Sequence, residues 1–213
     1  MSTDTVTTFL ALLAVLALAA VVVAVVVSLW SIVRGTVPAW AMETRAAVAP
    51  VALPIAWAVA TTCTLGSLYL SEVAKFPPCI LCWYQRIAMY PLVVILAVAA
   101  LRRDRQVSWY VVPLAVVGAG ISIYHYLIER FPDSVSFSCS ADVPCSTVWV
   151  WKFHFLSIPA MAGIGFALII TLVLLGRSAG PRDVRGTPRG SLDDADPVGR
   201  ATVDTRDAQE STA

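Results

Sequence analysis

Charge is what this 213-residue chain has least of: only 14% of it is Asp, Glu, Lys or Arg, against 58% hydrophobic residues and a mean hydropathy of +0.77. Polar surface that scarce cannot cover a soluble globule, so the composition reads as an integral membrane protein. A glycine-rich nucleotide loop and an internal repeat are both missing, so neither a soluble cofactor domain nor a nucleic-acid partner is expected. The first apolar run lacks the basic leader of a signal peptide, carries Asp4 instead, and exceeds the ~7–15 residue apolar core of such a peptide. It is expected to be a retained helix.

What is present in abundance is long uncharged sequence. The apolar runs are Val6 to Val33, Ala46 to Ser71, Ile87 to Leu101, Val107 to Ile128 and Phe155 to Gly176, and a helix that spans a bilayer needs about 20 residues. The third run reaches that length only if its helix begins near Cys79, which carries Arg86 about two turns into the membrane. Five transmembrane helices are expected. Segments on one side, around Arg34 and Arg45, Arg102 to Arg105 and the tail from Arg177, hold eleven basic residues, and those on the other hold four, Lys75, Arg86, Arg130 and Lys152. By the positive-inside rule the N-terminus and every Cys pair lie outside the cytoplasm, the compartment where disulfides persist, and the tail lies inside. Rich in Gly, Pro, Asp, Arg, Ser and Thr, the tail is expected to be disordered.

Of five cysteines, Cys63 stands alone in the second run and is expected simply to pack. The others form two couples: Cys79 and Cys82, a CxxC at a helix start behind Pro77 and Pro78, and Cys139 and Cys145 in a later loop. Free N–H groups and the positive helix end favour a thiolate at a CxxC so placed, and proline suits a helix entry because it needs no N–H partner there. A structural disulfide framework, a zinc site and a redox relay all remain open on cysteine arithmetic. A Cys139–Cys145 bridge would close a loop of seven residues, worth only about 2.4 kcal/mol, and tetrahedral zinc suits C-x2-C pairs better than this spacing and compartment; no metal is expected.

Arg86, four residues after Cys82, shares its helix face and needs a partner at membrane depth. It could stabilise the Cys82 thiolate together with an anionic ligand head group such as a reduced quinone. His125, between Tyr124 and Tyr126 at the same membrane face, could donate to a quinone oxygen or move protons. His154, beside Trp149, Trp151 and Lys152, reads as part of an interfacial anchor.

The run Pro78-Cys79-Ile80-Leu81-Cys82-Trp83-Tyr84-Gln85-Arg86 resembles the signature of the bacterial disulfide bond formation protein B (DsbB) family. Cys139 and Cys145, followed by Phe155-Leu156-Ser157-Ile158-Pro159, look like that family's second loop and last helix, in its short-loop form. The resemblance covers roughly Ala46 to Leu175. It implies an all-α membrane protein: a four-helix bundle over 46–176, with an additional helix in 1–45 and the tail at 177–213 outside the pattern. It further implies reoxidation of a DsbA-like thioredoxin-fold partner, with electrons passed to ubiquinone or menaquinone. By that resemblance Cys139 forms the mixed disulfide with the partner, Cys145 resolves or relays, Cys79 and Cys82 pass electrons on, and Cys82, one turn above Arg86, lies nearest the quinone. The vitamin K epoxide reductase-like family is a rival reading, although there the loop couple precedes the CxxC. A non-enzymatic scaffold with zinc or inert bridges is the rival from another class.

Overall fold

The computed structural model describes residues 2–104, 106–132 and 143–177, and within them the fold is helical. Its helices are α1 (Thr3–Arg34), α2 (Ala39–Val48), α3 (Ala52–Leu68, continued by a wider π turn over Tyr69–Val73), α4 (Ile80–Arg102), α5 (Ser108–Arg130) and α6 (Ile158–Arg177). Five are long and apolar enough to cross a membrane, Thr3–Arg34, Ala52–Val73, Ile80–Arg102, Ser108–Arg130 and Ile158–Arg177, matching the five expected runs. The tail from residue 178 onward and the segment containing Cys139 lie outside the described residues.

Local chemistry sets the helix ends. Ser2 caps α1 by accepting from the Thr5 N–H at 3.2 Å, and Asp4 favours the positive end of the first turn. At the other end Gly35 turns left-handed (φ 66°) and returns its N–H to Ser31 O. Cys79 is the N-cap of α4, extended at φ −73° and ψ 172°, so the helix begins where the third run needed it to. Helix α2 was expected as part of a loop. Its Ala, Met and Glu content is helix-forming, and Pro38, at φ −58°, leads into it. Pro91 and Pro113 lie inside α4 and α5, a placement tolerated in membrane helices because neighbours satisfy the freed carbonyls.

Helices α3, α4, α5 and α6 form a closed ring of neighbours, α3 on α4, α4 on α5, α5 on α6 and α6 on α3, while α1 packs on α6 from outside. Leu92 and Leu96 of α4, Val111 of α5, and Phe166, Ile169 and Val173 of α6 fill the centre. Lipid is as apolar as these side chains, so close packing rather than water exclusion holds such a bundle together, and small residues mark the tightest crossings. The Phe166 ring lies where a Cβ on Gly118 would fall, and a Cβ on Gly165 would sit 2.8 Å from Cys63 Sγ, which places Cys63 in a packing role.

Gly118→Ala should therefore lower stability by about 1–3 kcal/mol through overpacking. Gly120→Ala, with open space at its Cβ position, should leave it nearly unchanged. Thermal unfolding of both variants in detergent checks this, and equal melting temperatures would contradict the α5–α6 contact.

Candidate redox site

At one end of the bundle, the start of α4, the end of α5 and the segment leading into α6 converge. The CxxC occupies the cap and first turn of α4, and Cys79 and Cys82 are free thiols with Sγ atoms 3.4 Å apart. Cys79 is buried and Cys82 half-buried. Cys145 is buried and disulfide-bonded, and it packs with Cys79, Leu81 and Ile128 in one apolar cluster. Cys145 of the second couple therefore lies at the same end of the fold as the CxxC.

His125 ties them together. Its Nε2 lies 3.2 Å from the Cys145 carbonyl oxygen and 3.6 Å from Cys79 Sγ, and its Nδ1 lies 3.4 Å from Gln85 Nε2. A carbonyl only accepts and an amide NH2 only donates, so the ring carries its proton on Nε2 and accepts at Nδ1. That proton points at both Cys145 O and Cys79 Sγ. The Cys79 thiol is held down at about 4, first by the hydrogen bond it shares with Cys82 and then by His125, against the opposing effect of burial.

Arg86 extends from α4 to α3, donating from Nε to Ser67 Oγ at 3.0 Å and from Nη2 to Ser67 O at 3.1 Å, with its guanidinium carbon 5.4 Å from the Trp83 ring centre. It does not snorkel free. Cys82, Gln85 and Arg86 all line a groove of about 1430 Å³ that runs between α1, α2, α3, α4 and α6. Its walls are mostly apolar, with Arg86 and Arg45 the charged residues among them. Cys79 and His125 lie off it: both ring nitrogens of His125 are engaged within the protein, at the sulfur rather than at the groove where a quinone contact was anticipated.

The loops around the site are cross-braced. Phe76, just before the CxxC, stacks on Trp149, which follows Cys145, with ring centres 5.2 Å apart. Arg130 lies over Trp151, Tyr126 donates to Phe155 O at 3.0 Å, and Lys152 pairs with Asp4 of α1 at 2.6 Å. His154 sits exposed in the tight turn between Lys152 and Leu156 with φ 65°, away from the sulfurs. Gln85 and Ser67, which orient His125 and Arg86, were not anticipated. The signal for Gln85 was a polar residue inside an otherwise apolar membrane run; Ser67 carries none. The donor atoms of Cys79, Cys82 and His125 lie within 4.8 Å of one another, so a thiophilic cation could also reach all three.

Residues 49–176, which take in α3 to α6, match the family "Disulfide bond formation protein DsbB". The chain is 50% identical over 120 residues to "Disulfide bond formation protein C" of Bacillus subtilis, covering 56% of this chain and 87% of that protein. It is 46% identical over 125 residues to "Probable disulfide formation protein C 2" of Bacillus anthracis, covering 59% and 89%. With "Probable disulfide formation protein" of Oceanobacillus iheyensis it shares 43% identity over 125 residues, covering 58% and 86%. No solved structure gives a significant match. Built of helices joined by loops in its described residues, with its CxxC capping a membrane-length helix and matched over more than half its length, the chain belongs to the disulfide bond formation protein DsbB family.

Proposed function

We propose that this protein is a membrane thiol oxidase that takes two electrons from a DsbA-like thioredoxin-fold protein outside the cytoplasm and passes them to a membrane quinone, supporting disulfide formation in exported proteins. One observation carries the reading: the His125 ring has Cys79 Sγ and Cys145 O on the same nitrogen, while Cys82, in the same helical turn as Cys79, opens onto a lipid-sized groove. The names of the relatives, disulfide formation proteins, point the same way. The distribution of Lys and Arg favours this end facing outward.

The donor's dithiol reduces the bridge that holds Cys145, whose expected partner is Cys139, so the donor's S–S bond forms as the loop's breaks. A loop thiolate then attacks Cys79 in an oxidised Cys79–Cys82 bridge, and Cys82 leaves as a thiolate one helical turn from Arg86. The second loop thiolate attacks the mixed bond and restores the loop bridge, leaving both electrons on the CxxC. A quinone, when bound, supplies an acceptor for two electrons and two protons. The groove fits one: its walls suit an apolar tail, Cys82 offers sulfur and Arg86 offers a positive charge to ring oxygens. The hydrogen bond from Cys82 and, second, that from His125 keep Cys79 of the reduced couple ionised, and closure of the Cys79–Cys82 bridge completes the cycle.

Thiol trapping tests this reading. With reduced thioredoxin-fold partner supplied and quinone withheld, Cys79 and Cys82 should become alkylatable, and adding quinone should close them again. A metal chelator should change neither state. Labelling that ignores quinone would remove the relay.

The pH profile follows from the Cys79 value. A thiolate with a pKa of about 4 stays ionised on acidification until that range and is lost below it, whereas an ordinary thiol, near about 8.5, is already protonated at neutral pH. In Cys82→Ser, whose hydroxyl keeps the hydrogen bond, the alkylation rate of Cys79 should hold from pH 8 down to about 5 and fall toward pH 4. Adding His125→Ala should move the inflection upward, and an inflection near 8.5 in both would contradict the assigned roles.

A further inference from the structure

The family match begins at residue 49, so α1 lies outside it, yet α1 supplies one whole side of the groove on which Cys82 and Arg86 open. Three features hold it there. Ala11 and Ala14, both buried, pack with Leu156, Ala160, Met161 and Ile164 at the start of α6, small residues that let the helices approach closely. Asp4 pairs with Lys152 in the segment after Cys145. Leu10 reaches across to α3, where its Cδ1 lies 3.1 Å from the place a Cβ on Gly66 would occupy. Gly66 directly precedes Ser67, the residue that holds the Arg86 guanidinium. The first turns of α1 thus close the groove beside Arg86. Farther along, Leu13, Ala17, Ala20 and Ala24 face the groove from α1 while α3 and α6 line it opposite.

We infer that α1 is the outer wall of the quinone site and that the groove between it and the bundle holds the carrier's polyisoprenoid tail, so that this helix sets a preference for long-tailed quinones. The inference rests on the quinone reading above. The occupant follows from the groove's chemistry: it ends at a redox sulfur and a cation, which suit a ring with polar oxygens, and it continues as apolar wall between helices, which suits a long hydrocarbon and little else. At about 1430 Å³ it exceeds the ~300–1,000 Å³ typical of small-molecule pockets, room that a ring alone would not need. Alanines at 17, 20 and 24 keep it open.

Substitution in the full chain tests this. Ala17→Trp and Ala20→Trp each put an indole in the groove, whereas Leu12→Trp, on an exposed face of α1 away from it, does not. Both groove variants should raise KM for a long-tailed quinone about tenfold, with KM for a tail-less quinone and for the thiol donor changed by less than about twofold, and Leu12→Trp should resemble wild type throughout. A second measurement needs no variant: a quinone with a photoreactive group on its tail should label residues 3–34 of the wild-type protein. Equal effects on long-tailed and tail-less quinones, or labelling confined to α3–α6, would overturn the inference. So would unchanged KM values accompanied by loss of a co-purifying phospholipid or of a dimer, which would give the groove to a lipid or a second copy. Wild-type protein that reduces no quinone of either kind would instead sink the oxidase reading on which the inference rests.

Discussion

The site depends on one buried imidazole that serves three partners at once. His125 accepts from Gln85 at Nδ1 and carries a proton on Nε2 that serves both Cys79 Sγ and Cys145 O. In a buried, low-dielectric place such a hydrogen bond is stronger than in water, and a missing partner is costly. The Gln85 amide thus sets the tautomer, the tautomer directs the proton, and the proton keeps the CxxC thiolate and the backbone of the second couple in register. The fold supplies the rest: α4 must begin at Cys79, α5 must end beyond His125, and the segment before α6 must bring Cys145 back over both.

A division of labour within one helical turn follows. Cys79 faces inward, to His125 and the partner couple, and Cys82 faces the groove beside Arg86. In the proposed relay, exchange with protein sulfur and exchange with a lipid-borne carrier would then use opposite sides of the Cys79–Cys82 couple without competing for space. The guanidinium at membrane depth is held by two hydrogen bonds to Ser67 and by the Trp83 ring, so its charge is positioned instead of drifting to the surface. Holding an arginine there costs free energy that a merely structural bundle would not need.

Much of this was legible in the sequence. Hydropathy located five spans, because membrane length and the absence of charge are properties of single segments, and the short third run forced the start of α4 onto Cys79. That Cys145 would come back to the CxxC end followed from counting spans between them. The α2 helix and the π turn after α3 were not legible. The first, at 10 residues, is too short to give a clear period, and the second depends on how α3 meets its neighbours. Side-chain partners between helices were hidden for the same reason: nothing along the chain ties Ser67 to Arg86 or Gln85 to His125, since helix rotation and register set those meetings. His125 was expected near the CxxC and lies beside Cys79, but depth alone could not tell the groove side from the sulfur side. Cys139, the expected partner-facing cysteine, lies outside the described residues.

The central claim is that the inner cysteine of the CxxC and the second couple meet directly across His125. Peptide mapping of a Cys82→Ser, Cys139→Ser double variant under non-reducing conditions tests it most directly, since each couple then keeps one sulfur. A Cys79–Cys145 bridge formed without added cross-linker is the result the account predicts. Recovery of Cys79 and Cys145 as two separately alkylated thiols would contradict it.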